Sequence, residues 1–573
     1  MRKYLTMIFP LLLVTAGTAS GDTPMQRIMA ELEEGKITET QAAEYLVAGV
    51  VDPEKLPLRF TVDTDPEPCG TPAMMEAARL FGDAPLASRP SLSGSEHITD
   101  SPSGHFKIHW TNSGNDATTA AYANNIASAA DSSWTVQCDE LGFFHPPPDN
   151  NVGGDNKYDI YIKKLSDGTL GYTTTYGEYR PPDSTHRCSA SHIVIKNGIS
   201  NTGTRLSTVA HEFQHAVQMS YDYQEPVWFM ENCAVWMEEI VYPDYDDYHG
   251  YISYGYNALR TPWKDIRSPA MYWYGGFPWP WMMWDRWGTE SVRKVWENCA
   301  ATSGSNMLDA QEKMFNDHGK TFESVFMDYG VWRWFTAGNW YSDCGMYNPE
   351  AAEWTPGPRI LPHHKVKTLP ASGDQTSDFM PETYGIHWIR VELKNYQDQW
   401  IKMSFNGRDG LAWNLGVIMQ DTTGGRHYYK MYRCDSSTGD VEVTVGASGW
   451  DYAIFFPACM SSSSIDHLYT YNITATGTGI EGSPDMTDLL NLRVSSNPID
   501  RDGSITFNMP ETGRAELQVY DTGGRAVATL LDDDLPAGSH TVAFEGTNLA
   551  NGTYFVMLFA GDGSASLKVV VAR

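Results

Sequence analysis

The residues best equipped for chemistry lie between Arg205 and Glu239, in the run RLSTVAHEFQHAVQMSYDYQEPVWFMENCAVWMEE. Leu206, Val209, Ala210, Phe213, Ala216 and Val217 recur at helical spacing, which predicts an amphipathic helix. His215 follows His211 by four positions. On a helix their imidazoles therefore lie one turn apart on the same side and can reach one metal ion. Glu212 points about 100° away from His211 around the axis, beside the ion without being a ligand. Two neutral imidazoles holding Zn2+, with a glutamate that takes a proton from the bound water, is the chemistry of an HExxH helix. The bland alternative is a buried helix with two unconnected histidines.

Catalytic zinc commonly takes three protein ligands and leaves a fourth position open. Glu225, Glu231, Glu238 and Glu239 follow in order, and Pro226 suits the first position of a second helix over Val227 to Ile240. A carboxylate among apolar residues is costly to bury unless it meets a cation. Glu231 is the most enclosed by apolar neighbours, which makes it the expected third ligand. Glu238 lies ~10 Å further along the same helix, so only one of the two can touch the metal. Glu238 and Glu239 are expected to be solvated or to support a ligand, and Glu225 to be a helix N-terminal charge.

These elements sit in a chain with 41 Lys plus Arg against 71 Asp plus Glu, a net charge of −30 that argues against nucleic-acid binding. Arg2 and Lys3, the apolar stretch Leu5 to Val14 and the small residues Thr18-Ala19-Ser20 read as a signal peptide, residues 1–20. That stretch is too short to span a membrane, and no other is long and apolar enough. A secreted or cell-surface protein is expected, and a monomer. Export permits disulfides, and among the eight cysteines Cys434 and Cys459 are the first expected pair.

Residues 21–103 predict a helix over Met25 to Leu46 and then a Pro-rich stretch with little sign of its own core. From His105 the texture is strand (FKIHW), helix near Ala120 to Glu140, and strand (YDIYI). Period-2 alternation dominates residues 346–478, as in IRVEL at Ile389 to Leu393, and predicts a β-sandwich. After the Gly477 to Pro484 linker, Ile505, Phe507 and Met509 alternate, as do Ala515, Leu517 and Val519, then Tyr554, Val556 and Leu558. Residues 487–573 thus predict a small immunoglobulin-like sandwich.

HEFQHAVQ followed by WFMENCAVWMEE resembles the gluzincin metallopeptidases, in which a second helix supplies a glutamate as third ligand. It is similar, more closely, to secreted bacterial metalloproteases with HEFFHAVQ and WxMEGTAxWMEDE-type segments. The resemblance runs from about Cys69 to Cys344 through CGTP at Cys69 to Pro72, HFKIHW and GGDNKYDIYI at Gly153 to Ile162. It implies a zincin-like α+β catalytic domain over 104–345 behind a propeptide, residues 21–103. It implies zinc ligands His211, His215 and Glu231, with Glu212 as general base. Asn232-Cys233 departs from the small residues found there in relatives. Gluzincins often stabilise the oxyanion with a Tyr or His beyond the third ligand, which makes Tyr272 and Tyr274 in AMYWYGGFPWPW candidates, Tyr274 being retained. SNPIDRDGSITFNMPETGRAELQVYDTGGRAVATLL and the final KVVVAR resemble type IX secretion sorting domains and immunoglobulin-like hook-capping domains. That resemblance implies contact with secretion machinery and passage across an outer membrane.

The expectation is a secreted zinc endopeptidase acting on protein or peptide substrates. A non-catalytic surface or adhesion protein with a structural or degenerate zinc site is the alternative, as is a zinc aminopeptidase. No GxMEN-type motif precedes the helix, which tilts toward endopeptidase, and the absence of GxSxG leaves a serine hydrolase unsupported. Cys69 has two readings: a disulfide, or a propeptide thiolate filling zinc's open position. DNNVGGDNKYD at Asp149 to Asp159 lacks the alternation of an EF-hand loop, so a turn is expected there, with Ca2+ as the second reading.

Overall fold

The computed structural model describes residues 22–81, 89–179, 187–253, 255–301, 307–336, 359–375, 379–422, 426–461, 467–477, 490–509, 512–522, 525–561 and 563–573. The expected signal peptide, Cys344 and most of the expected linker lie outside them. Among the described residues the chain folds as several α+β and β-rich parts built on four sheets.

The chain begins with helices α1 (Pro24–Glu33), α2 (Glu39–Val51) and α3 (Thr71–Leu80). The single helix expected over Met25 to Leu46 is two, because Gly35 turns the chain at φ 70°. Thr23 and Thr38 each start a helix with a reciprocal capping box, using Gln26 and Gln41. These helices share an apolar cluster with Tyr161, Tyr172 and Val194 of the following sheet and with Leu165 just after its strand Tyr158–Lys163. That borrowed surface is why residues 21–103 show so little core of their own.

The sheet comprises β1 (Glu96–Asp100), β2 (Phe106–Thr111), β3 (Tyr158–Lys163), β4 (Gly171–Tyr179) and β5 (Cys188–Lys196), with α4 (Ala120–Trp134) between β2 and β3. Its order is β1-β2-β3-β5-β4, with β2, β3 and β5 parallel and antiparallel strands at both edges. Because β1 pairs with β2 from Glu96 to Asp100, the boundary expected at residue 103 falls inside this sheet. Both faces are covered, so the inner strands read as apolar runs. Ile160, Ile162, Ile193 and Ile195 share a core with α4 and with α5 (Thr202–Met219), while Tyr161 and Val194 belong to the α1–α3 cluster.

After α5 come α6 (Val227–Val241), α7 (His249–Ser253) and α8 (Met271–Gly275). Pro226 is the cap just before α6 rather than its first residue. The polar stripe of α5 does not meet water: every residue from Ser207 to Met219 is buried. A helix buried all round yet carrying His, Glu and Gln on one side must be facing a polar interior.

Beyond a further group of helices, nine strands form a second sheet. Alternate side chains face opposite layers: Ile454 and Phe456 join the helical core, whereas Ala453 and Phe455 join a core shared with the four- and three-stranded sheets. The expected modules 346–478 and 487–573 are not separate here. Gly563–Val571 pairs with Arg426–Arg433 through Tyr428↔Ala565, Tyr429↔Ser564 and Lys430↔Gly563, so one sheet crosses the expected boundary.

The expected Cys434–Cys459 disulfide is not formed, and both residues are free thiols. Trp413 explains the error. Cys459 is its register partner on one side, and the backbone N–H of Cys434 donates to its carbonyl on the other. The two cysteines are thus two strands apart, about 10 Å at ~4.8 Å per strand, beyond the reach of a disulfide. Among the described residues no helix is long and apolar enough to cross a membrane.

Candidate metal centre

α5 and α6 pack face to face and bring His211, His215 and Glu231 together, all at 4% exposure or less. The Nε2 atoms of His211 and His215 each lie 3.1 Å from a Glu231 carboxylate oxygen, on opposite oxygens. Ligating atoms of Cys69, His211, His215 and Glu231 all fall within 4.8 Å of one another. Donors around one tetrahedral zinc at 2.0–2.3 Å stand about 3.3–3.8 Å apart, so this set is close to the spacing that such an ion requires. The chemistry fits as well: two imidazoles, a carboxylate and a thiol are zinc's preferred ligands.

The outer nitrogens of the imidazoles are also engaged. His211 Nδ1 stands 2.7 Å from Glu238 Oε1, and His215 Nδ1 stands 2.8 Å from Gln218 Oε1. Gln218 is itself fixed, its amide donating to the Met230 carbonyl at 2.9 Å. Such partners set the tautomer and ring orientation of metal-binding histidines. Glu238 is therefore a buried support for His211 rather than a solvated charge, and Glu239 is buried too. Gln218 was missed in the sequence, although its place three residues after His215 on the same helix is a readable signal.

Glu212 stands beside the group and outside it. Its carboxylate accepts hydrogen bonds from Thr71 Oγ1 at 3.1 Å and Thr173 Oγ1 at 2.9 Å. Gly171 leaves it room, since a Cβ there would come within 2.9 Å of Glu212 Cγ and Oε1. No local pattern marks Thr71, Gly171 or Thr173, because they converge from α3 and β4.

Burial dominates the electrostatics. It raises the Glu212 carboxyl above its ordinary value, against the opposing pull of His215 and His211. Burial acts the same way on Glu231, but the two imidazoles outweigh it and hold that carboxyl at about 2. Burial would lower His211, yet hydrogen bonds to Glu231 and Glu238 keep it well above its usual value. The Cys69 thiol is pushed well up by burial and by the charges of Glu212 and Glu231.

Tyr274 reaches the site from α8. Its ring stacks against His211 with centroids 6.3 Å apart, and its hydroxyl donates to the Cys69 carbonyl at 3.3 Å. Tyr272 does not reach it, lying buried beside Arg333 and Tyr329 instead. In the acidic turn at Asp149 to Asp159, Asp155 and one oxygen of Asp159 have partners from β2, while Asp149 Oδ2 and Asp159 Oδ2 are buried without a hydrogen bond. His109 Nε2 stands 2.9 Å from Asp159, and Lys107 pairs with Asp155 at 2.8 Å. Among the described residues no second group of metal ligands converges there.

Residues 95–455, well over half of the chain, match one family. The chain belongs to the family of unknown function DUF6055. The match to DUF6055 contains His211, Glu212, His215, Glu231 and Tyr274 and begins after Cys69. No curated protein matches this DUF6055 chain. Solved structures with local likeness include the Endo-D glycoside hydrolase domain from Streptococcus pneumoniae R6, 11% identical over 35% of this chain and 32% of that one, with a TM-score of 0.12. The apo β-glucuronidase 3 of Bacteroides uniformis is 13% identical over 34% of this chain and 28% of its own, with a TM-score of 0.13. The chain thus spans about a third of the solved structures it matches, and likeness at these scores carries no argument about fold or activity.

Proposed function

We propose that this protein is a secreted zinc-dependent endopeptidase with a zincin-like catalytic part that includes the five-stranded sheet, α5 and α6. The observation that carries the reading is the convergence of His211, His215 and Glu231 from two packed helices, with Glu212 held beside them and outside the ligand set. His211, His215 and Glu231 would hold the ion. A bound zinc supplies Lewis-acid polarisation of a carbonyl and acidifies water. Glu212 takes the proton of the attacking water and returns it to the leaving amine, and its burial-raised affinity for protons suits both steps. Thr173 fixes the carboxylate for that transfer, and the Tyr274 hydroxyl donates to the carbonyl oxygen as charge develops on it. An extended polypeptide substrate would lie along the edge strand β4, where residues 68–71 lie in this structure.

The signal-peptide pattern supports export. The alternation in residues 487–573 supports an immunoglobulin-like sorting module that routes the chain across an outer membrane.

A second reading has specific support. With Cys69 the group has four ligands, and closed four-ligand sites are those of structural zinc, which suits a non-catalytic surface protein. The deciding experiment is hydrolysis of unfolded casein by wild type and Glu212→Gln, before and after limited proteolysis, with bound zinc quantified. About one zinc per chain in both with cleavage by wild type alone supports the peptidase. Zinc in both and cleavage by neither favours the structural site.

A further inference from the structure

Cys69 and Thr71 of the N-terminal segment engage His215, Tyr274, Glu212 and Thr173, groups that the proposed reaction uses. Cys69 Sγ lies 3.5 Å from His215 Nε2 and within the shared 4.8 Å group. The Cys69 carbonyl accepts from Tyr274. Thr71 Oγ1 donates to Glu212 and accepts from the Thr173 N–H at 2.8 Å. The backbone is held as a strand is held: Leu170 N–H donates to Pro68 O, and Gly70 N–H donates to Gly171 O, both at 2.8 Å. Cys69 and Gly171 form a parallel bridge on the free edge of the sheet. Gly70 sits where side chains are excluded, since a Cβ would meet Val50 Cγ1 at 2.6 Å and Tyr172 Cβ at 3.1 Å. Behind this contact α1 to α3 are anchored on the outer face of the sheet through Tyr161, Tyr172 and Val194.

We propose that residues 22–81 are a built-in inhibitory segment that holds the site latent, with the Cys69 thiolate as fourth metal ligand and Pro68 to Thr71 lying where an extended polypeptide substrate binds. The inference rests on the reading of His211, His215 and Glu231 as a metal site. On coordination the Cys69 thiol loses its proton to solvent, and the thiolate returns to a thiol when the segment leaves. No redox step is involved. The segment also explains why the ligand set looks closed: the fourth donor comes from a part of the chain outside the family match, whereas the other three lie inside it.

The test uses the full chain loaded with Co2+. Wild type should show a thiolate-to-cobalt charge-transfer absorption, and this spectrum requires no variant. Cys69→Ser should keep one metal per chain, lose that absorption and hydrolyse unfolded casein at least about tenfold faster than wild type, the gain when a site open in a tenth of molecules is freed. Cobalt bound to wild type without the absorption would overturn the thiolate ligand. An absorption lost in Cys69→Ser with no rise in hydrolysis would overturn latency and leave Cys69 a structural ligand. Failure of wild type to bind any metal would remove the metal reading itself, and the proposal with it. If Cys69→Ser does not fold, Cys69→Ala replaces it with the same expected outcomes.

Discussion

His211 is clamped between two carboxylates, with Nδ1 2.7 Å from Glu238 and Nε2 3.1 Å from Glu231. Glu238 fixes which nitrogen is free to bind metal: a proton held on Nδ1 leaves Nε2 as the donor. Glu238→Ala removes that orientation and leaves the ring to rotate. It should weaken metal binding on the order of 10–100-fold, as loss of such partners does. Glu238→Gln, whose amide oxygen can still accept from Nδ1, should fall between the two. Chelator competition at neutral pH measures both, and an unchanged affinity in Glu238→Ala would show that the ring is held by packing alone.

Gly171 gives a variant that separates chemistry from metal binding. It contributes no ligand, yet a Cβ there would press on Glu212 Cγ and Oε1 at 2.9 Å. Glu212 is buried and tied to Thr71 and Thr173, so the carboxylate must shift off its position. Gly171→Ala should leave metal content unchanged and lower turnover about 100-fold, the cost of a misplacement near 1 Å. Single-turnover hydrolysis beside metal analysis checks it. Loss of metal in this variant would mean that the strand, rather than the base, had moved.

Much of this centre was legible because it is local. The i, i+4 spacing of His211 and His215 places both rings on one side of any helix, and Glu231 stood out as a carboxylate on a helix with Trp228, Cys233, Ala234, Val235 and Met237. What was illegible comes from distant chain. Thr173 and Gly171 stand on an edge strand, Thr71 starts a helix about 140 residues before Glu212, and no periodicity relates them. Gly35 was the readable break in the first helix, outweighed by the Glu- and Ala-rich run around it. The C-terminal strands were read correctly as strands. Their partners were not, because alternation shows that a strand has two faces and says nothing of which strand lies beside it.

Two buried histidines outside the candidate ligand set predict an acid limit to stability. Burial holds His192 and His427 down to about 3, so both are neutral in the folded protein at neutral pH. Unfolded, each binds a proton near pH 6.5. Between pH 6.5 and about 3 the unfolded chain therefore binds more protons, and stability falls as pH falls through that window. Each group contributes up to about 1.4 kcal/mol per pH unit there. His427→Gln, which removes one such group, should lower Tm at pH 7 and narrow its deficit against wild type by pH 4. Thermal melts at several pH values read this, and a constant deficit would remove His427 from the acid response.

Deleting residues 487–573 tests routing only if the remainder stays folded, and the sheet argues that it does not stay unharmed. Removal of Gly563–Val571 strips the neighbour from Arg426–Arg433 and creates a new edge strand. Tyr520, Phe555, Met557 and Phe559 leave the core they share with the helices, uncovering Arg286, whose guanidinium lies 4.2 Å over the Phe559 ring. Each such side chain is worth about 1.5–3 kcal/mol when fully buried, and a bare strand edge invites pairing between chains. The truncated protein should therefore melt earlier than the full chain and self-associate. Calorimetry with sedimentation on both forms decides it. An unchanged Tm and a monomeric truncation would show that the module is a detachable passenger, and only then would lost export report on routing.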